Sequence, residues 1–239
     1  MMTLRAILLI LATLAFVLAP FYTPSFSGFD PSLFPVPIEN PAVQPAGYAF
    51  SIWSVIYVWL LIHAGYGFWK RAHSPDWDSV RVPLIVSLVL GSLWLAIASS
   101  YPVIATVVIL AMAAATLTAY FLADEFYDRW LLSAPLAIYA GWLSAASSVS
   151  VGILLAGYGV LTDTESALVM IAVVLGIAGL VQWARPYMPV YGLTVVWALV
   201  GIIVTNAQTN VLVAGVAAGA AALMAAVTFF AWNKRRVTL

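Results

Sequence analysis

The sequence predicts an all-α, polytopic membrane protein with about eight transmembrane helices. Of its 239 residues, 64% are hydrophobic and only 8% are charged, and the mean hydropathy is +1.06. Soluble domains carry charge on about a quarter of their residues, and a soluble fold could not hide so much apolar surface. The apolar residues also form long runs, each near the ~20 residues with which a helix crosses a bilayer.

The distribution of basic residues supports this number of segments. The apolar runs cover about residues 5–21, 46–69, 82–100, 103–123, 131–156, 166–184, 190–205 and 210–232. Every basic residue lies at a terminus or in an even-numbered gap, namely Arg5, Lys70, Arg71, Arg81, Arg129, Arg185, Lys234, Arg235 and Arg236. The odd-numbered gaps carry only acids, Asp30, Glu39, Asp163 and Glu165. Because basic residues are retained in the cytoplasm, we expect both termini there, with a bacterial inner membrane as the simplest location.

The first segment also has features of a secretory signal. Arg5 precedes the apolar run 6–18, as in a signal peptide. Pro20 is unfavourable for cleavage, so we expect a retained first helix. The gap that follows is outside in either case, and the topology does not depend on this choice.

The first outside loop, residues 21–45, is the only long connection between segments. It contains Pro24, Pro31, Pro35, Pro37, Pro41 and Pro45. So many prolines predict extended or polyproline geometry rather than a helix. A loop of this length is typical of a functional lid, with a flexible tether as the alternative. The short connections 99–102, 185–189 and 205–210 predict antiparallel neighbours.

Ionisable residues are nearly absent from the predicted spans, and His63 is the exception. Pumps and ion-coupled transporters keep such residues within the membrane, so these classes are not favoured. The chain has no cysteine and two histidines, which excludes a metal-ligand cluster at helical spacing. We predict no metal site and no catalytic residue. The net charge of zero argues against a nucleic-acid partner.

The second segment, PAGYAFSIWSVIYVWLLIHAGYGFW, is aromatic on two faces. Phe50, Trp53 and Tyr57 share one face by their spacing, whereas Trp59, His63 and Tyr66 share another. Such rings line a cavity, fill the bundle or form an interfacial belt. For His63, a hydrogen bond to a backbone group or a hydroxyl is favoured over haem ligation.

Small residues mark two later segments. The fifth segment contains Gly141, Ser144, Ser147 and Ser148, which allow close helix approach and hydrogen bonds between helices. In the eighth segment, Gly215 and Gly219 have GxxxG spacing. This pattern is more typical of an intramolecular contact than of a dimer, although a homodimer or a partner in a membrane complex stays open.

The second segment resembles the second helix of the translocator protein family, also called TspO/MBR, tryptophan-rich sensory proteins or peripheral benzodiazepine receptors. Phe50, Trp53 and Tyr57 match the Phe, Trp and Tyr of its Phe-Gly-x-Val-Trp-Thr-x-Leu-Tyr motif. Trp94, in LGSLW, matches the tryptophan of the third helix. In the fifth segment Pro135 matches, Tyr139 takes the place of the tryptophan, and Trp142 that of the phenylalanine. The resemblance covers about residues 1–157.

This resemblance implies a five-helix bundle over residues 1–157, with the loop 21–45 closing a pocket for porphyrins, sterols or synthetic aromatic ligands. Residues 158–239 would be an additional three-helix segment packed in the same domain, so the chain resembles an enlarged, divergent member. Ser87, Gly91 and Ser147 depart from the family, which has Gln, Asn and Asn there. The family's entry loop, Trp-Tyr…Lys-Pro-x-Trp, is not recognisable before Pro45.

Three functional hypotheses follow. The first is a membrane binding, sensory or carrier protein for a hydrophobic aromatic or isoprenoid ligand, with a porphyrin-like tetrapyrrole favoured and no other cofactor expected. Its predicted ligand-binding residues are Phe50, Trp53, Tyr57, His63, Trp94, Tyr139 and Trp142. The alternative is a structural or assembly subunit of a membrane complex. An enzyme is the least favoured reading, because without an acid–base pair it would depend on tryptophan redox chemistry or photochemistry.

Overall fold

Eight α-helices account for most of the chain. The computed structural model describes residues 1–23, 26 and 28–234, without the side chain of Lys234, so Pro24, Arg235 and Arg236 lie outside the described residues. The helices are α1 (Met2–Tyr22), α2 (Ile52–Arg71), α3 (Pro75–Ala98), α4 (Pro102–Leu122), α5 (Ser133–Gly157), α6 (Asp163–Ala184), α7 (Val190–Asn206) and α8 (Val211–Lys234). Two short 3-10 helices, Pro31–Leu33 and Gly47–Ser51, lie before α2, and the described residues contain no strand.

The predicted fold class is confirmed. Within the part of the chain that the structure describes, seven helices are long and apolar enough to cross a membrane, and α7 is a shorter apolar helix of 17 residues. Apart from the starts of α2 and α3, their bounds follow the apolar runs, because an apolar helix satisfies its backbone polar groups internally, as a bilayer requires.

Helix α5 lies at the centre of the molecule. It packs against α2 and α4 on one side and against α6 and α7 on the other. In its membrane window 72% of residues are buried, against 33–44% in the other spans. Small residues permit this packing: a Cβ on Gly141 would lie 2.8 Å from the carbonyl oxygen of Tyr191 in α7. Helix α5 therefore contacts helices of both groups, α1–α4 and α6–α8.

The connections form two opposite ends of the bundle. One end, the basic face, comprises the start of α1 and the α2–α3, α4–α5 and α6–α7 connections. Hydrogen bonds join these parts: Arg81 to the carbonyl of Met2, and Arg129 to that of Tyr187. The other end, the lid face, comprises the loop before α2 and the α3–α4, α5–α6 and α7–α8 connections.

Helix α3 begins earlier than predicted. The apolar run starts at residue 82, but the helix starts at Pro75, after Ser74. Proline is favoured at the first position of a helix, and Asp76 and Asp78 in the first turn complement the helix dipole. Arg81, predicted in a connection, therefore lies within α3 and is 1% exposed.

Two buried arginines on the basic face donate hydrogen bonds to carbonyls at the ends of neighbouring helices. Arg81 donates to the carbonyls of Arg71 (2.8 Å) and Ala72 (3.0 Å) at the end of α2. It also pairs with Asp78 at 3.1 Å. In the same way, Arg185 donates to the carbonyl of Ala123, just after α4. Because the last carbonyls of a helix have no partner within it, these arginines satisfy groups that would otherwise be buried and unpaired.

The connection between α4 and α5 is fixed by Asp128, whose φ of 50° places it in the left-handed region. Its carboxylate accepts hydrogen bonds from Arg71 Nε (2.7 Å) and from Trp77 Nε1 (3.0 Å). The hydrogen bond from Arg71 is the main reason that the pKa of Asp128 lies below its ordinary value.

We expect acid to weaken this connection. A carboxyl group whose pKa is lower in the folded state stabilises the fold fully above its unfolded pKa, about 3.9. That contribution is lost as the pH falls through the folded pKa. Thermal unfolding in detergent should therefore show Asp128→Asn destabilised relative to the wild type at pH 7, with the difference shrinking below pH 4. A difference independent of pH would contradict the role of the charge.

The glycine pair of α8 faces away from the bundle. The helix packs on α6 and α7 through buried residues such as Ala217 and Met224. A Cβ on Gly215 or Gly219 would meet no described atom within 4 Å. The interpretation of this pair as an intramolecular contact is therefore wrong, because the opposite face of α8 forms that contact.

Candidate ligand pocket

A cavity of about 310 Å³ lies between α1–α5 beneath the loop that precedes α2. Rings from several elements line it: Phe16 of α1, Trp53 and Tyr57 of α2, Trp94 of α3 and Trp142 of α5. Phe50 lines it from the 3-10 helix that leads into α2, and α7 contributes Ala198.

The aromatic rings pack against one another around this space. Trp53 and Tyr57, one helical turn apart, stack with centroids 5.5 Å apart. Phe16 meets both edge-on, at 5.9 and 5.3 Å. Trp142 meets Trp53 edge-on at 6.1 Å and Phe50 at 5.9 Å. Such edge and offset arrangements are favoured between rings, and they hold the wall of the cavity in place.

Trp94 is both a lining residue and a link between helices. Its indole N–H donates to the carbonyl of Ala105 in α4 at 2.8 Å. The same ring contacts Phe26 of the loop, with centroids 4.8 Å apart. Trp94 of α3 thus contacts both α4 and the loop that covers the cavity.

Two of the seven predicted ligand residues lie outside the cavity lining. Tyr139 is fully buried behind it, against Phe16 and Trp53, and its hydroxyl accepts a hydrogen bond from Ser87 at 3.2 Å. His63 lies on the opposite face of α2, where its Nδ1 is 2.8 Å from the carbonyl oxygen of Leu131. The other five, Phe50, Trp53, Tyr57, Trp94 and Trp142, line the cavity together.

Sequence reasoning did not single out Phe16 as a pocket residue. Its ring fits because residue 91 is glycine: a Cβ there would lie 2.5 Å from Phe16 and 3.0 Å from Met112. The departure from the family's asparagine at this position therefore makes room for an aromatic ring. Phe16 itself lies in a uniformly apolar run, where no periodicity distinguishes an inward residue from a lipid-facing one.

The first part of the loop covers the cavity with Phe26, Gly28 and Phe29. A short 3-10 helix, Pro31–Leu33, follows, with the side chain of Asp30 accepting from the backbone of Ser32. The prediction that prolines exclude any helix here was wrong for this turn, because Pro31 occupies its first position, where no N–H is needed.

The second part of the loop is fixed to the later helices. The backbone N–H of Ala42 donates to the carboxylate of Asp163 at 3.0 Å, and Asn206 donates to the carbonyl of Ala42 at 2.8 Å. The N–H of Ala46 bonds to the carbonyl of Gly201 at 3.0 Å, and Trp197 Nε1 bonds to that of Ala49 at 2.9 Å. Helices α6 and α7 therefore hold the segment that leads into the pocket.

Asn206→Ala should weaken this attachment. The substitution leaves the carbonyl of Ala42 without its side-chain donor at a buried position, which costs about 1–3 kcal/mol. We expect a lower unfolding temperature in detergent and faster proteolysis within the loop. Gln208→Ala, at an exposed position in the adjacent turn, is the matched control. Equal behaviour of the two variants would contradict the anchoring role.

Comparison with known proteins identifies a family. The model of a family described as TSPO-like protein matches residues 6–230, a range that begins in α1 and ends in α8. It thus extends past residue 157, where the motif resemblance ends. No curated protein and no solved structure matches the chain. The match and the apolar helices indicate an integral membrane protein of the sensory or binding class. The chain belongs to the TSPO-like protein family.

Proposed function

We propose that this protein binds a hydrophobic aromatic or isoprenoid small molecule in the cavity between α1 and α5, as a membrane sensor or carrier. The observation that carries the proposal is the cavity of about 310 Å³ walled by Trp53, Tyr57, Trp94 and Trp142. Small-molecule sites are mostly apolar and range from about 300 to 1,000 Å³. This volume accommodates a compact ligand, whereas a tetrapyrrole would require the loop over the cavity to move.

The composition of the lining favours binding over catalysis. The described lining residues include no aspartate, glutamate, lysine, arginine or histidine, so the cavity offers no carboxylate, amine or imidazole for acid–base catalysis. In the proposed orientation both termini are cytoplasmic in a bacterial inner membrane, and the loop covers the cavity from the outer side. The charge distribution along the sequence supports this orientation.

The test is an analysis of the protein purified in mild detergent from its native membrane. Absorbance and mass spectrometry should detect a stoichiometric pigment or isoprenoid, and added ligand of that class should quench tryptophan fluorescence. A colourless protein with no bound small molecule, and with fluorescence unaffected by porphyrins and isoprenoids, would contradict the proposal.

The exposed glycine face of α8 supports a second candidate function, an assembly subunit within a membrane complex. Small residues on an outward face permit close approach of another helix; Gly215 and Gly219 are exposed, and a Cβ on either would meet no neighbouring part of the described protein within 4 Å. Recovery with a stoichiometric protein partner would favour this function. A monodisperse monomer without a partner would count against it.

A further inference from the structure

Arg129, in the connection between α4 and α5, differs from the other arginines that the structure describes. Each of the others pairs with a carboxylate at 2.6–3.4 Å, namely Arg5, Arg71, Arg81 and Arg185. Arg129 forms no salt bridge with any described residue, although its side chain is half-buried. Water solvates an exposed charge fully, whereas a partly buried charge without a counter-charge is unfavourable.

The contacts of Arg129 leave most of its guanidinium group without an acceptor. Its Nη2 donates to the carbonyl of Tyr187 at 2.8 Å, and this carbonyl is the only acceptor that the described residues offer to the side chain. The Nε atom is buried without a hydrogen-bond partner among the described residues. A guanidinium group keeps its charge and presents its donors in a planar fork. This position therefore favours an anion from outside the chain.

The acids of the same connection do not compensate this charge. Asp124 accepts hydrogen bonds from two backbone N–H groups of the connection, at 2.7 and 2.6 Å. Glu125 lies 3.4 Å from the guanidinium group of Arg185, and Asp128 lies 2.7 Å from that of Arg71. Each carboxylate thus has its own donors, and none of them is within salt-bridge distance of the remaining arginine.

Lys70 on the same face offers a useful contrast. It too lacks a carboxylate partner among the described residues, and its Nζ lies 4.0 Å from the ring centroid of the exposed Trp69. The side chain of Lys70 is exposed, however, so water can hydrate its ammonium group on most sides. Burial of the Nε atom is what distinguishes Arg129.

Exposed aromatic rings surround Arg129. Phe126, Tyr127 and Trp130 of the same connection are all exposed, and the guanidinium carbon lies 5.1 Å from the ring centroid of Trp130. The indole N–H of Trp59 donates to the carbonyl of Trp130 at 2.9 Å, which holds the connection against α2. Exposed rings at the ends of spans are typical of the headgroup level of a bilayer, where the abundant anion is the phosphate of a phospholipid.

We propose that Arg129 and Trp130 form a binding site for an anionic phospholipid in the leaflet that contacts the basic face. The terminal nitrogens of Arg129 donate to the phosphate oxygens, a geometry for which the guanidinium fork is suited. The ring of Trp130 packs against the apolar part of the lipid next to its headgroup. Neither residue lines the ligand cavity, so this site is independent of the proposed function.

Titration of the full-length protein in detergent with phosphatidylglycerol, followed by native mass spectrometry, tests this site. Phosphatidylcholine with the same acyl chains is the zwitterionic reference. We expect the first phosphatidylglycerol to bind about tenfold more tightly than phosphatidylcholine. Arg129→Gln should lose this preference, because glutamine is polar but uncharged. Arg129→Lys, which keeps the charge but not the fork, should give an intermediate preference.

Lys70→Gln is the matched control, because it removes a charge beside a tryptophan from the same face at an exposed position. It should keep the wild-type preference. A wild-type preference in either variant of Arg129, or an equal loss in Lys70→Gln and Arg129→Gln, would overturn the inference. Inorganic phosphate at millimolar concentration should not displace phosphatidylglycerol. Displacement would overturn the lipid assignment in favour of a site for a soluble anion.

Discussion

Replacement of Trp53 and Trp94 together by alanine is expected to abolish binding of an apolar ligand such as farnesol. Trp53 contacts Phe16, Tyr57 and Trp142, so its loss opens the wall of the cavity. Trp94 supports Phe26 of the covering loop. Each lost ring contact weakens the binding free energy of an aromatic or unsaturated ligand by about 0.5–1.5 kcal/mol, in addition to the loss of buried area. Two such losses, with the wall removed, correspond to a decrease in affinity of about 100-fold or more.

The two tryptophans require different controls. Trp94 bonds to Ala105, and its replacement also carries a cost in stability of about 3–5 kcal/mol. Trp53→Ala alone therefore reports on the pocket with less disturbance of the fold. Trp69→Ala removes a ring that is 75% exposed and should bind as the wild type does. Calorimetry is preferable to fluorescence, because each variant loses a fluorophore. A folded double variant with wild-type affinity would contradict the assignment of the pocket.

Arg81→Met is expected to cause a large loss of stability, about 3 kcal/mol or more, because three backbone carbonyls each lose a donor at a cost of about 1–3 kcal/mol. Arg81 is 1% exposed and donates to the carbonyls of Met2, Arg71 and Ala72. Methionine keeps the length of the side chain but offers no donor, so several carbonyls lose their partner in a closed environment. Asp78 retains one partner, Arg5, at 2.6 Å, and the cost therefore arises mainly from the backbone carbonyls.

Denaturant unfolding of the purified protein in detergent measures this effect. Lys70→Met removes a basic residue from the same end of the bundle at an exposed position, and such changes usually stay within about 0.5 kcal/mol. Similar midpoints for the two variants would contradict the stabilising role of the hydrogen bonds of Arg81.

The helices could be predicted because a bilayer imposes one rule on every segment, namely a long apolar run with its backbone bonds closed internally. The start of α3 did not follow from that rule. Its first turns carry Asp76, Asp78 and Arg81. Asp78 pairs with Arg5 of α1, and Arg81 donates to carbonyls at the end of α2, so their partners come from other helices. Hydropathy alone therefore placed the beginning of this helix at residue 82.

The pocket was predictable only in part. The spacing of Phe50, Trp53 and Tyr57 placed them on one face of a helix, and all three line the cavity. Phe16 and Ser150 lie in runs where apolar or small residues occur on every face, so periodicity does not indicate their direction. The attachment of the loop to Asp163 and Asn206 spans more than 120 residues of sequence, and no local pattern reports such a contact.

The burial of α5 has a consequence for biosynthesis. A helix enters the bilayer most readily when its own residues favour lipid, and polar residues near its centre reduce that tendency. Helix α5 carries Ser144, Ser147, Ser148 and Ser150 because its final neighbours are other helices rather than lipid. During synthesis, however, α6 and α7 emerge from the ribosome after it. The insertion of α5 should therefore depend on α1–α4 already being assembled around it. In a chain truncated after α5, the surface of α5 that packs against α6 and α7 would have no protein partner.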